Sequence, residues 1–446
     1  MYRKIIEKIN NKRIAILGFG REGKSTYKFI RKYLPNMRLS ILDKNSIDLE
    51  DDLVDKIVGD NYLDNLNDYD LIIKSPGISL KDIDISFFRD KITSQLELLL
   101  EVFRNNIIGI TGTKGKSTTS SLIYEVIRNQ KDNVFLIGNI GIPVLDDIEK
   151  YNEESILVIE MSSHQLEFIK LSPHIGIILN LYEDHLDHDG SIEKYHMNKM
   201  NIFKYQSESD YSIYSDDNKY LNEYMKNDIY KGIKYTVRFD NEDIGNNTCR
   251  LIDKDVLIDN EVVYHDDDRI ILGDSNLKNI MFVLTVCKIL NLDYDKAKKV
   301  ISTFKGLKYR MEYIGKYHNI NYYNDTIATI PEATINAINS IDEVDTLIIG
   351  GLNRGISYDE FIKFLNNSNI SNSICMPETG YLIGKMIENK NVLYADSLDE
   401  AVSLSVQYTS PNKSCLLSPA AASYNSFKNF EEKGQYFENL VKNIKN

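Results

Sequence analysis

The stretch ITGTKGKSTT, residues 110–119, is the most informative part of this chain about its fold. The apolar run IIGI at residues 107–110 predicts a buried strand before the glycines, and residues 116–129 predict a helix after them. The stretch departs from the strict GxxxxGK[ST] spacing, because Ile110 occupies the first glycine position. The order of strand, glycine loop, lysine and helix still predicts an α/β domain that binds nucleotide phosphates.

The residue types in this loop are those that ATP binding requires. Gly112 and Gly115 allow backbone N–H groups to face phosphate oxygens. Lys116 can reach the β and γ oxygens, and Ser117 or Thr118 can ligate Mg²⁺. The alternative is a glycine turn without a ligand. The complete set of groups favours an ATP site.

A second glycine loop, GFGREG at residues 18–23, follows the apolar run at 13–17 and precedes a helical segment at 23–33. With Asp43 about twenty residues further on, it matches the fingerprint of dinucleotide binding. Residues 18–25 also satisfy GxxxxGK[ST], and a tight turn without a ligand fits too. The loop alone leaves these three interpretations open.

Polar residues follow two further buried-strand candidates, where α/β proteins bind ligands. Glu160 closes the strand candidate at residues 155–159, and the segment EDHLD at 183–187 follows the one at 174–179. Glu160 with His185 nearby suits Mg²⁺ held partly through substrate phosphates. Zinc at HLDH is the alternative, but no cysteine accompanies it. The density of these groups favours a magnesium site.

The composition limits the class of protein. A length of 446 residues favours about three domains, and a net charge of -13 argues against a nucleic-acid or membrane-surface binder. The four cysteines form no CxxC pair, and we find neither a signal peptide nor an apolar stretch of membrane-spanning length. We therefore expect a cytoplasmic enzyme. Further strands are expected at residues 346–349 and 414–417, and a C-terminal helix at 427–442.

Several motifs, taken in order, resemble the Mur ligase family, which adds amino acids to UDP-N-acetylmuramoyl precursors. They are GTKGKST, EMSSHQLE, NLYEDHLDH and YHMNK, with further matches at residues 75–78, 138–141, 276–279, 309–310, 324–325, 417–419 and 429–431. The resemblance covers nearly the whole chain. It is greatest to the branch that adds glutamate to UDP-N-acetylmuramoyl-L-alanine through an acyl phosphate, during peptidoglycan synthesis.

The resemblance implies a three-domain α/β fold, with N- and C-terminal Rossmann-like modules flanking a central P-loop ATPase-type domain. Residues 1–94 would bind the UDP substrate, residues 95–304 ATP, and residues 305–446 the amino acid. It implies a cytoplasmic monomer that takes small-molecule substrates and inserts into no membrane.

The resemblance also implies a role for individual residues. The UDP substrate would contact Gly18, Phe19, Gly20, Arg21, Asp43, Lys44 and Ser75. ATP would contact Gly112, Thr113, Lys114, Gly115, Lys116, Ser117, Thr118, Asn279, Arg310 and Asp325. The catalytic residues would be Lys116, Asn139, Glu160, His185 and Lys199.

Two Mg²⁺ ions are implied, with Ser117, Glu160, His185 and Lys199 as ligands, the lysine as a carbamate. Without the resemblance, the sequence favours interpreting Lys199 as a solvent-exposed lysine on a helix. Glutamate would contact Thr329, Arg354, Ser423 and Phe430.

The chain departs from the branch pattern only around the amino-acid pocket. Ile327 and Arg354 stand where lysines are usual, and Tyr424 replaces a smaller apolar residue. The segments DTIATIPEAT and GGLNRG look closer to the relatives that add L-glutamate, so the resemblance favours D-glutamate but leaves the L-isomer open. More distant alternatives are a folylpolyglutamate synthase, which needs no UDP module, and an NAD-dependent dehydrogenase, which leaves the glycine loop at residues 110–119 unexplained.

Overall fold

A computed structural model describes residues 2–138, 142–182, 191–239, 245–267, 269–271, 273–341, 343–353, 357–388, 390–423 and 427–444. The chain forms two compact units, one of Met1–Asp267 with Lys278–Val300, the other of Asp268–Leu277 with Ile301–Asn446. No helix in the described ranges is both long and apolar enough to cross a membrane.

The strands of the first unit are β1 (Ile14–Leu17), β2 (Leu39–Asp43), β3 (Val54–Val58), β4 (Leu71–Lys74), β5 (Ile92–Thr93), β6 (Ile107–Thr111), β7 (Val134–Gly138), β8 (Ile156–Glu160), β9 (Ile175–Ile178), β10 (Tyr211–Ser215), β11 (Ile233–Arg238), β12 (Thr248–Ile252), β13 (Asp255–Ile258) and β14 (Glu261–His265). Those of the second unit are β15 (Glu312–Tyr317), β16 (Ile320–Asn324), β17 (Val344–Ile349), β18 (Asn372–Cys375), β19 (Asn391–Tyr394) and β20 (Ser414–Leu417).

The helices up to residue 303 are α1 (Arg3–Ile9), α2 (Arg21–Tyr33), α3 (Gln95–Phe103), α4 (Lys116–Arg128), α5 (Ser163–Leu166), α6 (Ile192–Lys204), α7 (Lys219–Tyr224), α8 (Asp274–Ile289) and α9 (Tyr294–Thr303). The later helices are α10 (Pro331–Ser340), α11 (Asp359–Asn367), α12 (Thr379–Gly384), α13 (Leu398–Tyr408) and α14 (Phe430–Lys442).

The first unit contains two sheets. One has five strands in the order β3-β2-β1-β4-β5, all parallel. The other has nine strands in the order β14-β13-β12-β11-β10-β9-β6-β8-β7, parallel except for the antiparallel β12-β13-β14 ribbon. The central strands β1, β6 and β9 are apolar runs buried along their whole length, as expected for parallel strands covered on both faces.

The second unit contains one six-stranded sheet in the order β15-β16-β20-β17-β18-β19. Only the pairing of β15 with β16 is antiparallel. Because β20 lies between β16 and β17, the chain segments that follow these three strands meet at one edge of the sheet. The α/β fold class predicted from the sequence is confirmed, with three mainly parallel sheets.

The C-terminal helix was predicted to begin at Phe427, and that start is wrong. The helix begins at Phe430, because the Asn429 side chain caps it by accepting a hydrogen bond from the backbone N–H of Glu432 at 2.8 Å. The first turn of α14 therefore begins at Phe430, one of the residues predicted to bind the incoming amino acid.

Candidate active site

The loop between β6 and α4 has the backbone geometry of a phosphate cradle. Gly112 and Gly115 adopt φ values of +153° and +85°, and Gly115 precedes the first turn of α4. A side chain at either position would be strained. The Lys116 ammonium lies over the loop and donates to the carbonyl oxygens of Gly112 and Thr113, at 2.9 and 3.0 Å. Loop, lysine and helix N-terminus thus converge as the sequence predicts.

Asn180, two residues beyond β9, holds this loop in place. Its Oδ1 accepts hydrogen bonds from the backbone N–H groups of Thr113 at 3.1 Å and Lys114 at 2.9 Å, and its Nδ2 donates to the Lys114 carbonyl at 3.1 Å. The sequence places Asn180 among the polar residues that follow buried-strand candidates, without a role of its own. Its role as a loop brace depends on β9 pairing with β6, which a linear sequence does not display.

Asn279 on α8 lies against the same loop. A Cβ atom at Gly115 would come within 2.8 Å of Asn279 Oδ1. The Asn279 side chain is only 7% exposed, so its carboxamide is confined beside the glycine. The structure therefore brings together two residues that are 164 positions apart and that the sequence assigns to ATP, and the cradle fits a nucleotide.

Two further residues assigned to catalysis lie around the loop. Glu160 ends β8 opposite Ile110 of β6 and is 1% exposed. Lys199 on α6 is 2% exposed, and its Nζ lies 3.0 Å from the Gly112 carbonyl, 3.5 Å from Thr111 Oγ1 and 4.7 Å from the centre of the Tyr195 ring. Lys199 is therefore not a solvated helix lysine.

The donor set around this loop fits Mg²⁺. Ser117 at the start of α4 and Glu160 offer hard oxygen ligands, and both are buried. Asn139 and His185 lie outside the described residues, as does the HLDH segment that raised the zinc alternative. Within the described ranges, no group of three or more His, Cys, Asp or Glu side chains could hold a metal. The implied Mg²⁺ ligands would therefore have to be completed by phosphate oxygens and by other groups.

The first glycine loop is a tight turn stabilised from two sides. Gly18 has φ +90°, and its carbonyl accepts a hydrogen bond from Ser75 Oγ at 2.9 Å. Gly23 approaches so closely that a Cβ there would lie 2.0 Å from the Gly18 carbonyl oxygen. The close approach explains why the loop needs both glycines.

Asp43, expected near the uracil end of the UDP substrate, bonds to the loop itself. Its Oδ2 accepts from the Phe19 N–H at 2.7 Å and its Oδ1 from the Asn45 N–H at 2.8 Å. The carboxylate thus shapes the loop. Gly20, Arg21 and Lys44 are exposed at the same edge of the sheet.

The helix that follows this loop, α2, is joined to α5 through a partly buried hydrogen bond. Gln165 Nε2 on α5 donates to Glu22 Oε1 at 2.7 Å. Burial raises the pKa of Glu22, and the hydrogen bond from Gln165 opposes that rise. The EMSSHQLE motif therefore connects the two glycine loops of the first unit.

In the second unit, Asp325 lies directly after β16 and is 3% exposed. It accepts a hydrogen bond from Ser418 Oγ at 2.7 Å and one from the Met311 N–H at 3.1 Å. Burial raises the pKa of Asp325 to about 7, against the lowering effects of these bonds and of Arg310. Arg310 and Asp325, both assigned to ATP, are thus electrostatic neighbours.

Two of the residues assigned to the amino acid, Ser423 and Phe430, lie near the same sheet edge. Ser423, after β20, is 2% exposed, and its Oγ has no hydrogen-bond partner among the described residues. Phe430 opens α14, with its ring 6.3 Å from that of Tyr309. Thr329 is partly buried, and Arg354 lies outside the described residues.

Sequence reasoning missed Lys433. This residue on α14 is 2% exposed, and its Nζ donates to the Gly350 carbonyl at 2.9 Å. Burial lowers its pKa to about 8. In KNFEEKG it looks like one more charge on an exposed helix, and no local signal in the sequence marks it.

Known proteins resemble this chain in sequence and in fold. The family described as the Mur ligase middle domain matches residues 110–322. The fold is similar to that of MurC from Thermotoga maritima, with a TM-score of 0.58 and 18% identity over 98% of this chain and 100% of that one. MurF from the same organism, solved in complex with ADP, gives a TM-score of 0.56 and 18% identity over 96% and 94%.

Curated relatives are closer in sequence. One from Clostridioides difficile (strain 630) is 32% identical over 98% of this chain and 100% of its own length. Another from Acetivibrio thermocellus is 30% identical over 98% of both chains. The chain belongs to the Mur ligase family. Both relatives are named UDP-N-acetylmuramoylalanine–D-glutamate ligase.

Proposed function

We propose that this protein adds D-glutamate to UDP-N-acetylmuramoyl-L-alanine at the expense of ATP, in peptidoglycan precursor synthesis. The observation that carries the proposal is the cradle formed by Gly112, Gly115 and Lys116, with Glu160 and Lys199 buried beside it. The full-length relatives of about 30% identity support the choice of substrates.

The reaction has two steps. The L-alanyl carboxylate attacks the γ-phosphorus of ATP, which forms an acyl phosphate and releases ADP. The amine of D-glutamate then attacks the acyl carbon, loses a proton and displaces inorganic phosphate, which leaves an amide. Lys116 lies where its ammonium can exchange the carbonyls of Gly112 and Thr113 for phosphate oxygens and stabilise the charge of the transferred group.

Mg²⁺ would neutralise charge on the phosphate oxygens. Ser117 and Glu160 would hold one ion on the nucleotide side, and His185 with a carbamylated Lys199 would hold a second. Carbamylation joins CO₂ to a lysine amine, and the Lys199 side chain is buried beside the Gly112 carbonyl. Asn139 would lie near the transferred phosphate.

The UDP end of the substrate would bind at the loop that begins with Gly18. The N-terminus of α2 and the exposed Arg21 and Lys44 supply N–H donors and positive charge for a pyrophosphate.

Domain boundaries at residues 94 and 304 are part of the same proposal, as are a monomeric state and a cytoplasmic location.

An ADP-release assay with the purified protein tests the proposal. We expect ADP release that requires both UDP-N-acetylmuramoyl-L-alanine and D-glutamate, and little release with L-glutamate. Turnover with L-glutamate alone would reverse the stereochemical assignment. A change in NADH absorbance without ADP release would instead support a dehydrogenase.

A further inference from the structure

Lys433 is held rigidly at the sheet edge where residues assigned to the incoming amino acid, such as Ser423, are found. The helix position after it, Gly434, is packed so tightly that a Cβ there would lie 2.2 Å from the Tyr309 ring and 2.6 Å from Thr326 Oγ1. The Gly434 carbonyl also accepts a hydrogen bond from Asn324 Nδ2 at 3.0 Å. The first turn of α14 is therefore fixed beside the end of β16, and the Lys433 stem has little freedom.

Among the described residues, the charge of Lys433 is not balanced by a carboxylate. Its one hydrogen bond in the described part of the chain goes to the Gly350 carbonyl, and no carboxylate of a described residue forms an ion pair with it. An ammonium can donate three hydrogen bonds. A buried cation without an anion is costly, and a ligand that brings the opposite charge would offset that cost.

The segment that packs against Gly350 and Gly351 carries an unsatisfied donor. The Gly350 N–H donates to the Pro419 carbonyl at 3.0 Å, and a Cβ at Gly351 would lie 2.3 Å from the Ala422 carbonyl oxygen. The glycine pair therefore packs directly against the segment that leads into Ser423, whose buried hydroxyl lacks a partner among the described residues. An ammonium and a hydroxyl at one sheet edge are a donor set for a carboxylate.

We propose that Lys433 binds one carboxylate of the incoming amino acid and supplies the positive charge that Ile327 cannot. The inference rests on the proposed function, because it assigns a specificity residue to the acceptor of that reaction. A glutamate dianion carries two carboxylates, and Lys433 pairs with one of them. The site thus distinguishes an acidic acceptor from a neutral one.

Two substitutions separate this role from a structural one. Lys433→Met removes the charge, and Lys433→Gln removes the charge but keeps a donor for the Gly350 carbonyl. Lys442→Met is the matched control, because Lys442 lies on the same helix, is half exposed and pairs with Glu438. We expect both Lys433 variants to raise the KM for D-glutamate tenfold or more, with unchanged KM values for ATP and the UDP substrate. The control should leave all three values unchanged.

Acceptors that lack one carboxylate identify the group that Lys433 binds. With D-glutamine or D-isoglutamine, the penalty of Lys433→Met should disappear for whichever compound lacks the bound carboxylate. If Lys433→Gln has the wild-type KM for D-glutamate, the lysine only positions Gly350 and the proposal is overturned. Equal increases in all three KM values, together with a lowered Tm, would also overturn it. A wild-type protein without D-glutamate-dependent ADP release would instead refute the proposed function.

Discussion

Gly115→Ala is the sharpest test of the nucleotide cradle. Alanine at φ +85° should cost about 1–2 kcal/mol of stability, because L-residues are strained in the left-handed region. The new Cβ would also stand 2.8 Å from Asn279 Oδ1, and ordinary contact begins at 3.4 Å, so the buried carboxamide must retreat. If Asn279 binds adenine, we expect ATP affinity to fall about tenfold, which corresponds to about 1.4 kcal/mol.

Gly59→Ala provides the matched control. Gly59 has a similar φ of +93°, but a Cβ there meets nothing within 4 Å. Both variants should lose similar stability in urea denaturation, and only Gly115→Ala should weaken ATP binding in isothermal titration. The Asn279→Ala variant should lose comparable affinity, and the double variant should lose little more. Equal effects of the two glycine variants on ATP binding, or additive losses in the double variant, would refute the contact with Asn279 as the cause.

Other substitutions test the remaining parts of the site. Lys116→Ala should abolish ATP turnover, whereas Lys24→Ala should mainly raise the KM for the UDP substrate; the reverse pattern in an ADP-release assay would exchange the roles of the two loops. Lys199→Ala should lose nearly all activity and regain part of it in acetate, and full activity in untreated protein would exclude the carbamate. Arg354→Ala should raise the KM for glutamate far more than that for ATP, and an unchanged glutamate KM would remove Arg354 as an anchor. The raised pKa of Asp325 means that the folded state holds its proton between about pH 4 and 7, so its contribution to stability is largest in acid and is lost as the pH rises to 7. Asp325→Asn should therefore gain stability relative to wild type between pH 5 and pH 8, by at most about 3 kcal/mol at 1.36 kcal/mol per pKa unit; parallel stability curves in urea titrations would contradict this.

The local sequence was sufficient to predict those elements in which an apolar strand is followed directly by a glycine loop. The buried runs of β1 and β6, the glycine loops behind them and the helices α2 and α4 were all predicted within about two residues. The edge strand β3 escaped notice, because VDKIV is mostly exposed and lacks the apolar run of a covered strand. The C-terminal helix began three residues later than expected, because side-chain capping by Asn429 decided its start.

The family resemblance assigned roles to individual residues, and the structure shows the surroundings of some of them. Asn279 was assigned to ATP from a weak motif, and only the fold shows it against Gly115. Lys199 would have been set aside as a solvated lysine on sequence alone, and only its burial beside Gly112 makes it a chemically distinct amine. Asn139, His185 and Arg354 remain predictions from the sequence.

By itself, the sequence determined the α/β class, the two glycine loops and the family resemblance, because these depend on residue types at short and regular spacing. Only the tertiary structure decided which distant side chains share a site. Asn180 braces the loop between β6 and α4 because β9 pairs with β6, and Lys433 is buried because α14 packs beside β16. Burial and charge compensation are properties of the packed chain, since the environment of a lysine depends on residues far from it in sequence. That is why Lys433 looked like an ordinary helix charge and became a candidate ligand only in the fold.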